Sequence, residues 1–175
     1  MVTKTLSDIE THLSGLSALL TDCVESGASV GFIAPLDQHE ADNYWRSIQP
    51  SLTEGSRYLL IAREQGQITG AIQLALCQKK NGLHRADVEK LMVHTAFRRQ
   101  GIARQLLNAL ESLAAKQRRT LLVLDTRTGD SASLLYKSEG YQQVGTIPEY
   151  VTNAAGEMES TTYFYKLLNR IGANL

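Results

Sequence analysis

Residues 120–126 read TLLVLDT, four consecutive Leu and Val residues between polar flanks. A run this short and this apolar is expected for a central strand covered on both faces. Such a strand needs a sheet around it and helices over the sheet, so the rest of the chain must supply them.

The flanking segments fit. Ser7 with Glu10 is a capping-box pattern. Behind it Ile9, Leu13, Leu16, Leu20 and Val24 recur at helical spacing, and Gly27 is the stop. Asp37 with Glu40 opens a second helix with the apolar face Ala41, Tyr44, Trp45, Ile48 and Leu52, ended by Gly55. The period then changes. RYLLIAR and ITGAIQLALC read as strands around the turn signal EQGQ, and Asn81-Gly82 marks another turn. ADVEKLMV alternates, with Asp87, Glu89, Leu91 and Val93 to one side and Val88, Lys90 and Met92 to the other. A helix is expected from about 101 to 117. SASLLYKSEGY is a short helix ended by Gly140, and YQQVGTI and TTYFYKLL are the last strands. With a short strand at residues 2–6, the order is β-α-α-β-β-β-α-β-α-β-β. That order indicates an α/β fold of the mixed, α+β kind. With no linker or repeat, residues 1–175 read as a single domain.

Composition narrows the function. Eighteen basic residues balance eighteen acidic ones, which gives no reason to expect nucleic acid or an anionic membrane as partner. No apolar run approaches 18 residues, so no membrane span is expected. The start MVTKTLSDIE lacks a signal-peptide core, and two cysteines suit a reducing compartment; a cytoplasmic location is the expectation. Four scattered histidines and no C-x-x-C leave no pattern for a structural metal.

The chemistry begins at residues 98–114, RRQGIARQLLNALESLA. The second part is an amphipathic helix. Its start has no Ser, Thr, Asp or Asn to cap it. The first N–H groups of a helix have no internal partner, and the macrodipole places partial positive charge there. A bound anion can take the place of a cap, and pyrophosphate suits a strand–turn–helix with Gly at close approach. Arg98, Arg99 and Arg104 add positive charge. The loop is neither a Walker loop nor a dinucleotide G-x-G-x-x-G.

Arg98-Arg99-Gln100-Gly101-Ile102-Ala103 resembles Arg/Gln-x-x-Gly-x-Gly/Ala, the acetyl-CoA pyrophosphate loop of the GNAT N-acetyltransferases. LMV before it and SASLLYKSEGY after it match that superfamily in order and spacing. Thr95 stands where the family favours Pro, Arg99 where Gly is frequent, and Ala103 is an allowed small residue. The resemblance implies the GNAT fold, acetyl-CoA as cosubstrate and acetyl transfer to an amine within a ternary complex. It implies acetyl-CoA binding by Arg98 to Arg104, by Ser131, and by the backbone of Leu91, Met92 and Val93, which would receive pantetheine like an added strand. A bulge would splay the strand at 86–93 from the one at 119–125.

An alkylamine is protonated at neutral pH, so transfer needs a base, and the departing thiolate needs an acid. Asp87 lies at the position of a catalytic glutamate in several members, six residues before Val93. Glu89 and Asp125 are further candidate bases, Glu89 having an ion pair with Arg85 as its structural alternative. Tyr136 matches the family's tyrosine beside the CoA sulfur, where a phenol can donate a proton. GASVGF, ending at Phe32, and LCQKKNGLHRADVEKLMV resemble the tabtoxin-resistance members, which implies an amino-acid-like acceptor such as tabtoxinine-β-lactam. His84 or Arg85 would then meet its carboxylate. A protein N-terminus or lysine is the alternative acceptor, and a non-catalytic acyl-CoA sensor the alternative role. A homodimer is compatible with the sequence, and nothing in it requires one.

Overall fold

The expected central strand is the fifth of seven in one sheet. The computed structural model describes residues 2–168. Its elements are β1 (Val2–Leu6), α1 (Leu13–Glu25), α2 (Gln38–Thr53), β2 (Arg57–Glu64), β3 (Gln67–Leu76), β4 (Arg85–Val93), α3 (Ile102–Lys116), β5 (Leu121–Arg127), α4 (Ala132–Ser138), β6 (Gln142–Thr152) and β7 (Met158–Leu167). The strand order is β1-β2-β3-β4-β5-β7-β6. Every pairing is antiparallel except the parallel one between β4 and β5.

Two apolar cores lie on opposite faces of the sheet. α1 and α2 cover one face of β1–β4 with Leu16, Leu20 and Trp45, over Leu59, Ile61 and Met92. α3 and α4 cover the other with Leu106, Leu107, Leu110 and Tyr136, over Val88, Leu122, Leu124 and Phe164. Each fully buried leucine contributes about 1.5–3 kcal/mol. Gly70 of β3 lets α3 approach closely: a Cβ there would stand 2.9 Å from the Met92 carbonyl and 3.0 Å from both Ile102 and Leu106 side chains.

Three expectations need correction. Ser7 and Glu10 form no capping box; Thr11 N donates to Asp8 Oδ2 instead (3.1 Å), and a 3-10 turn at Glu10–His12 precedes α1. In β5 only Leu122 and Leu124 are buried, because α1 and α2 stop over β4 and leave the outer strands on that face without a helix. Strict alternation fails in β4. Lys90 has φ +53°, and the register against β3 shifts between Glu89 and Met92. This bulge reverses the facing of the residues beyond it. Asp87 and Glu89 stay on the α1–α2 side, whereas Leu91 and Val93 pack into the α3 core and Met92 turns to α1.

Candidate active site

β4 and β5 pair only at Arg85–Leu121, Ala86–Leu122 and Asp87–Val123. Beyond Asp87 they part, since the bulge bends β4 while β5 stays with β7. The split opens into a cleft of about 940 Å³ that runs from the start of α3 past Leu91 and Val93 to Asp125 and Tyr136. His94 N donates to Thr69 O in β3 (2.9 Å). Ladder alternation therefore turns the backbone groups of Leu91 and Val93 toward the split.

One end of the cleft is made of backbone. Gly101, at φ +80°, is the N-cap of α3 and offers no side chain, and the first intrahelical bond runs from Gln105 N to Gly101 O (3.1 Å). Ile102, Ala103 and Arg104 thus present N–H groups without a cap, beside the positive end of the helix. Arg98 is a brace: Nε donates to Val93 O (3.2 Å) and Nη2 to Ser26 Oγ (2.7 Å). Arg104 donates to Glu139 (2.6 Å) and Ser138 (3.2 Å) in the α4 region. Arg99 is exposed, with φ +62°, and has no such partner among the described residues. Asp22 of α1 holds the turn before the loop, accepting from Thr95 N and Thr95 Oγ1 at 2.7 Å each.

The other end is made of side chains. Asp87, Glu89 and Asp125 lie on the α1–α2 side of β4 and β5. Glu89 is tied to Arg57 Nη1 (2.5 Å), which also donates to Gln73 Oε1 (2.6 Å); Gln73 Nε2 donates to Tyr44 Oη (2.8 Å). Asp87 is half-buried, and burial raises its carboxyl above the usual range despite nearby Arg85. Asp125 accepts from Thr161 Oγ1 (2.9 Å). Tyr163, paired with Asp125 across the ladder, shares a hydroxyl hydrogen bond with Tyr150 (2.6 Å) that helps push its pKa up to about 12. Tyr136 lines the cleft from the α3 side, packed against Tyr141 and Phe164, and burial keeps its phenol protonated. Cys23 also lines the cleft, but burial pushes its thiol up to about 11, so it is a neutral thiol at physiological pH.

The family model for the acetyltransferase (GNAT) domain matches residues 20–154, from α1 into the loop after β6. The chain belongs to the GNAT acetyltransferase family. An uncharacterized N-acetyltransferase of the hisH-hisA intergenic region of Azospirillum brasilense is 29% identical over 133 residues, covering 73% of this chain and 77% of that protein. Ribosomal-protein-alanine N-acetyltransferase from Brucella melitensis superposes with a TM-score of 0.82 at 22% identity, over 96% of this chain and 100% of that one. The yncA protein of Salmonella typhimurium, solved with its cofactor acetyl-CoA, superposes with a TM-score of 0.77 at 16% identity, over 99% and 98%. At these identities the structural likenesses establish the fold.

Within this GNAT N-acetyltransferase, the expected residues divide. Leu91, Val93, Arg98, Arg99, Gly101, Ile102, Ala103, Arg104, Ser131, Glu89, Asp125 and Tyr136 line one cleft. Gln100 is exposed outside it, and Met92 is buried in the α1 core. Asp87 is not among the residues that line the cleft; it stands at the last β4–β5 pair, where the split begins. Glu89 pairs with Arg57 and not with Arg85. His84, Arg85 and Phe32 do not line the cleft. His84 supports β5, its carbonyl accepting from Thr120 N (2.8 Å). Arg85 donates to Cys77 Sγ (3.4 Å), and Phe32 packs edge-on behind Tyr44 with ring centroids 5.2 Å apart.

Sequence reasoning missed Arg57, Asp22 and Arg127. Arg127 donates to Asp130 (2.9 Å), to Glu159 (3.2 Å) and to Gly27 O (3.1 Å), joining β5, β7 and the loop after α1. Local spacing does not announce the ties Arg57–Glu89, Asp22–Thr95 and Arg127–Gly27, which span 32, 73 and 100 positions. Among the described residues no helix is long and apolar enough to cross a membrane, and no cluster of three His, Cys, Asp or Glu is placed to hold a metal.

Proposed function

We propose that this N-acetyltransferase uses acetyl-CoA to acetylate the amine of a small, amino-acid-like acceptor. One observation carries the reading: the split between β4 and β5 has an uncapped helix start at one end and Asp125 and Tyr136 toward the other, with Asp87 at the last strand pair before the split. Acetyl-CoA fits what is there. Its pyrophosphate suits the free N–H groups of Ile102 to Arg104, with Arg99 near, and its pantetheine amides suit the backbone groups turned into the split. When bound it supplies an acetyl thioester.

The chain's own groups then divide the proton work. Asp87, raised by burial, takes a proton from the incoming ammonium, directly or through water. Glu89 is less suited, being an anion already neutralised by Arg57. The amine nitrogen forms its bond to the acyl carbon as the carbon–sulfur bond breaks, and Tyr136 donates its phenolic proton to the departing sulfur. The second proton, shed by the new amide nitrogen, returns to the Tyr136 oxygen through water, while the one held by Asp87 leaves to solvent. Neutral Cys23 favours direct transfer over an acyl-cysteine route.

Similarity of residues 27–32 and 76–93 to the tabtoxin-resistance members supports an amino-acid-like acceptor, with tabtoxinine-β-lactam as the specific candidate and toxin resistance as the role. A protein N-terminus is the second reading, favoured by the face of β5 and β7 that no helix covers. A competition assay separates them: acetyl-CoA is offered with the toxin, free amino acids, polyamines and peptides. We expect amino acids or the toxin to be acetylated first. Preferential acetylation of peptides would overturn the small-acceptor reading.

A further inference from the structure

The bulge in β4 does more than open the split; it aims a cation into it. Lys90 lines the cleft, its Nζ lying 5.5 Å from the Tyr44 ring centroid. The loop after α1 comes down on it, since a Cβ on Gly31 would meet Lys90 Nζ at 3.4 Å. A non-glycine residue at φ +53° costs strain that a structure retains only when its surroundings hold it there. The other cations of the cleft are mostly occupied. Arg98 braces Val93 and Ser26, Arg104 pairs with Glu139, and Arg127 pairs with Asp130 and Glu159. Arg99 stands apart, next to the uncapped start of α3. Lys90 makes no hydrogen bond or ion pair among the described residues. The carboxylates nearest in charge to it have partners of their own, Glu89 in Arg57 and Asp125 in Thr161.

The geometry points to Lys90 as the acceptor's anion site, so the acceptor is an amine that also carries a carboxylate. An ammonium of this kind would face Asp87 and Asp125 while its carboxylate, in the same molecule, meets the Lys90 ammonium. Such a charged hydrogen bond is strong because the site is partly desolvated. Tyr44, supported by Phe32 and Trp45, faces the Lys90 ammonium with its ring. The inference rests on the transferase reading above and sharpens it: a peptide N-terminus has no carboxylate beside its amine, whereas a free amino acid does.

The test compares α-amino acids with their own carboxamides as acceptors, using wild-type enzyme, Lys90→Gln and Lys90→Arg. Wild type should prefer the carboxylate by about tenfold or more in kcat/KM. Lys90→Gln should bring that ratio toward one, mainly through KM for the carboxylate, and Lys90→Arg should restore much of it. An equal loss on both acceptors in Lys90→Gln would overturn the assignment, since a structural role moves both alike. So would a wild type that acetylates only neutral amines, although the transferase reading would survive. Failure of wild type to bind acetyl-CoA would sink both, and calorimetry separates that case from the others.

Discussion

The two ends of the cleft are built from different materials. The α3 end is backbone: free N–H groups after Gly101 and strand groups of Leu91 and Val93, all within 14 residues of sequence. The β4–β5 end is side chains, drawn from β2 (Arg57), β3 (Gln73), β4 (Asp87, Lys90), β5 (Asp125) and β7 (Tyr163). The difference teaches where each function can change. A backbone site survives most substitutions that keep the turn, so it can serve one constant ligand. A side-chain site is rewritten by single changes, so we propose that acceptor choice is set there.

The sharpest break of this comparison is expected at Asp87. Asp87→Asn should lower turnover by about 10²–10⁴-fold while leaving acetyl-CoA affinity nearly unchanged. The deficit should narrow at high pH, where free amine is available; a pH-independent loss would assign Asp87 to structure. Stability should move the other way. Burial raises the Asp87 pKa, so the folded protein holds that proton more tightly than the unfolded chain. The residue's favourable effect is present below the usual carboxylate pKa and is lost as pH rises through the raised value. At neutral pH Asp87→Asn should therefore melt no lower than wild type, as scanning calorimetry can check. Tyr136→Phe should likewise keep acetyl-CoA affinity and lower turnover.

Next in size is the backbone end. Nothing lies within 4 Å of a Cβ on Gly101, so a side chain there acts through charge and the positive φ rather than through a clash. Gly101→Glu should weaken acetyl-CoA by about a hundredfold, from repulsion of the pyrophosphate. Gly101→Asn, which tolerates the left-handed conformation, should cost only a few-fold. Equal losses in a calorimetric titration would mean that the turn, not the charge, matters.

The smallest effect sharpens the boundary between the ends. The family's favoured Pro at position 95 would have no N–H, whereas Thr95 donates both N–H and hydroxyl to Asp22. Asp22→Ala should loosen that turn and weaken acetyl-CoA by about tenfold, with the preference among acceptors unchanged. A shift in acceptor preference would show that the two ends are not separable.

The same division explains what was legible in the sequence. Helical and strand periods placed every element to within a few residues, because they depend on local spacing; β6 and β7 run longer than their apolar signals since both are largely exposed or polar. RRQGIA announced the α3 end because a backbone site is local. The family resemblance implies a bulge in the strand at 86–93, and the structure has it, but its place at Lys90 was hidden, for a charged residue in an alternating strand gives no sign of positive φ. That one residue reversed the facing of Leu91 and Val93. Resemblance alone assigns His84 and Arg85 to a carboxylate, and the structure instead ties them to the start of β5 and to Cys77, away from the cleft. Cross-strand ties such as Arg57–Glu89 have no sequence signature at all.

The central claim, that the donor site is the backbone of α3's first turn and the split edge of β4, is tested most directly by amide chemical shifts during an acetyl-CoA titration. The largest shifts are predicted at Gly101–Arg104 and at Leu91 and Val93, with little change along residues 142–147 of the outer strand, which do not line the cleft. Shifts concentrated in β6 and β7, with Gly101–Arg104 unmoved, would contradict it.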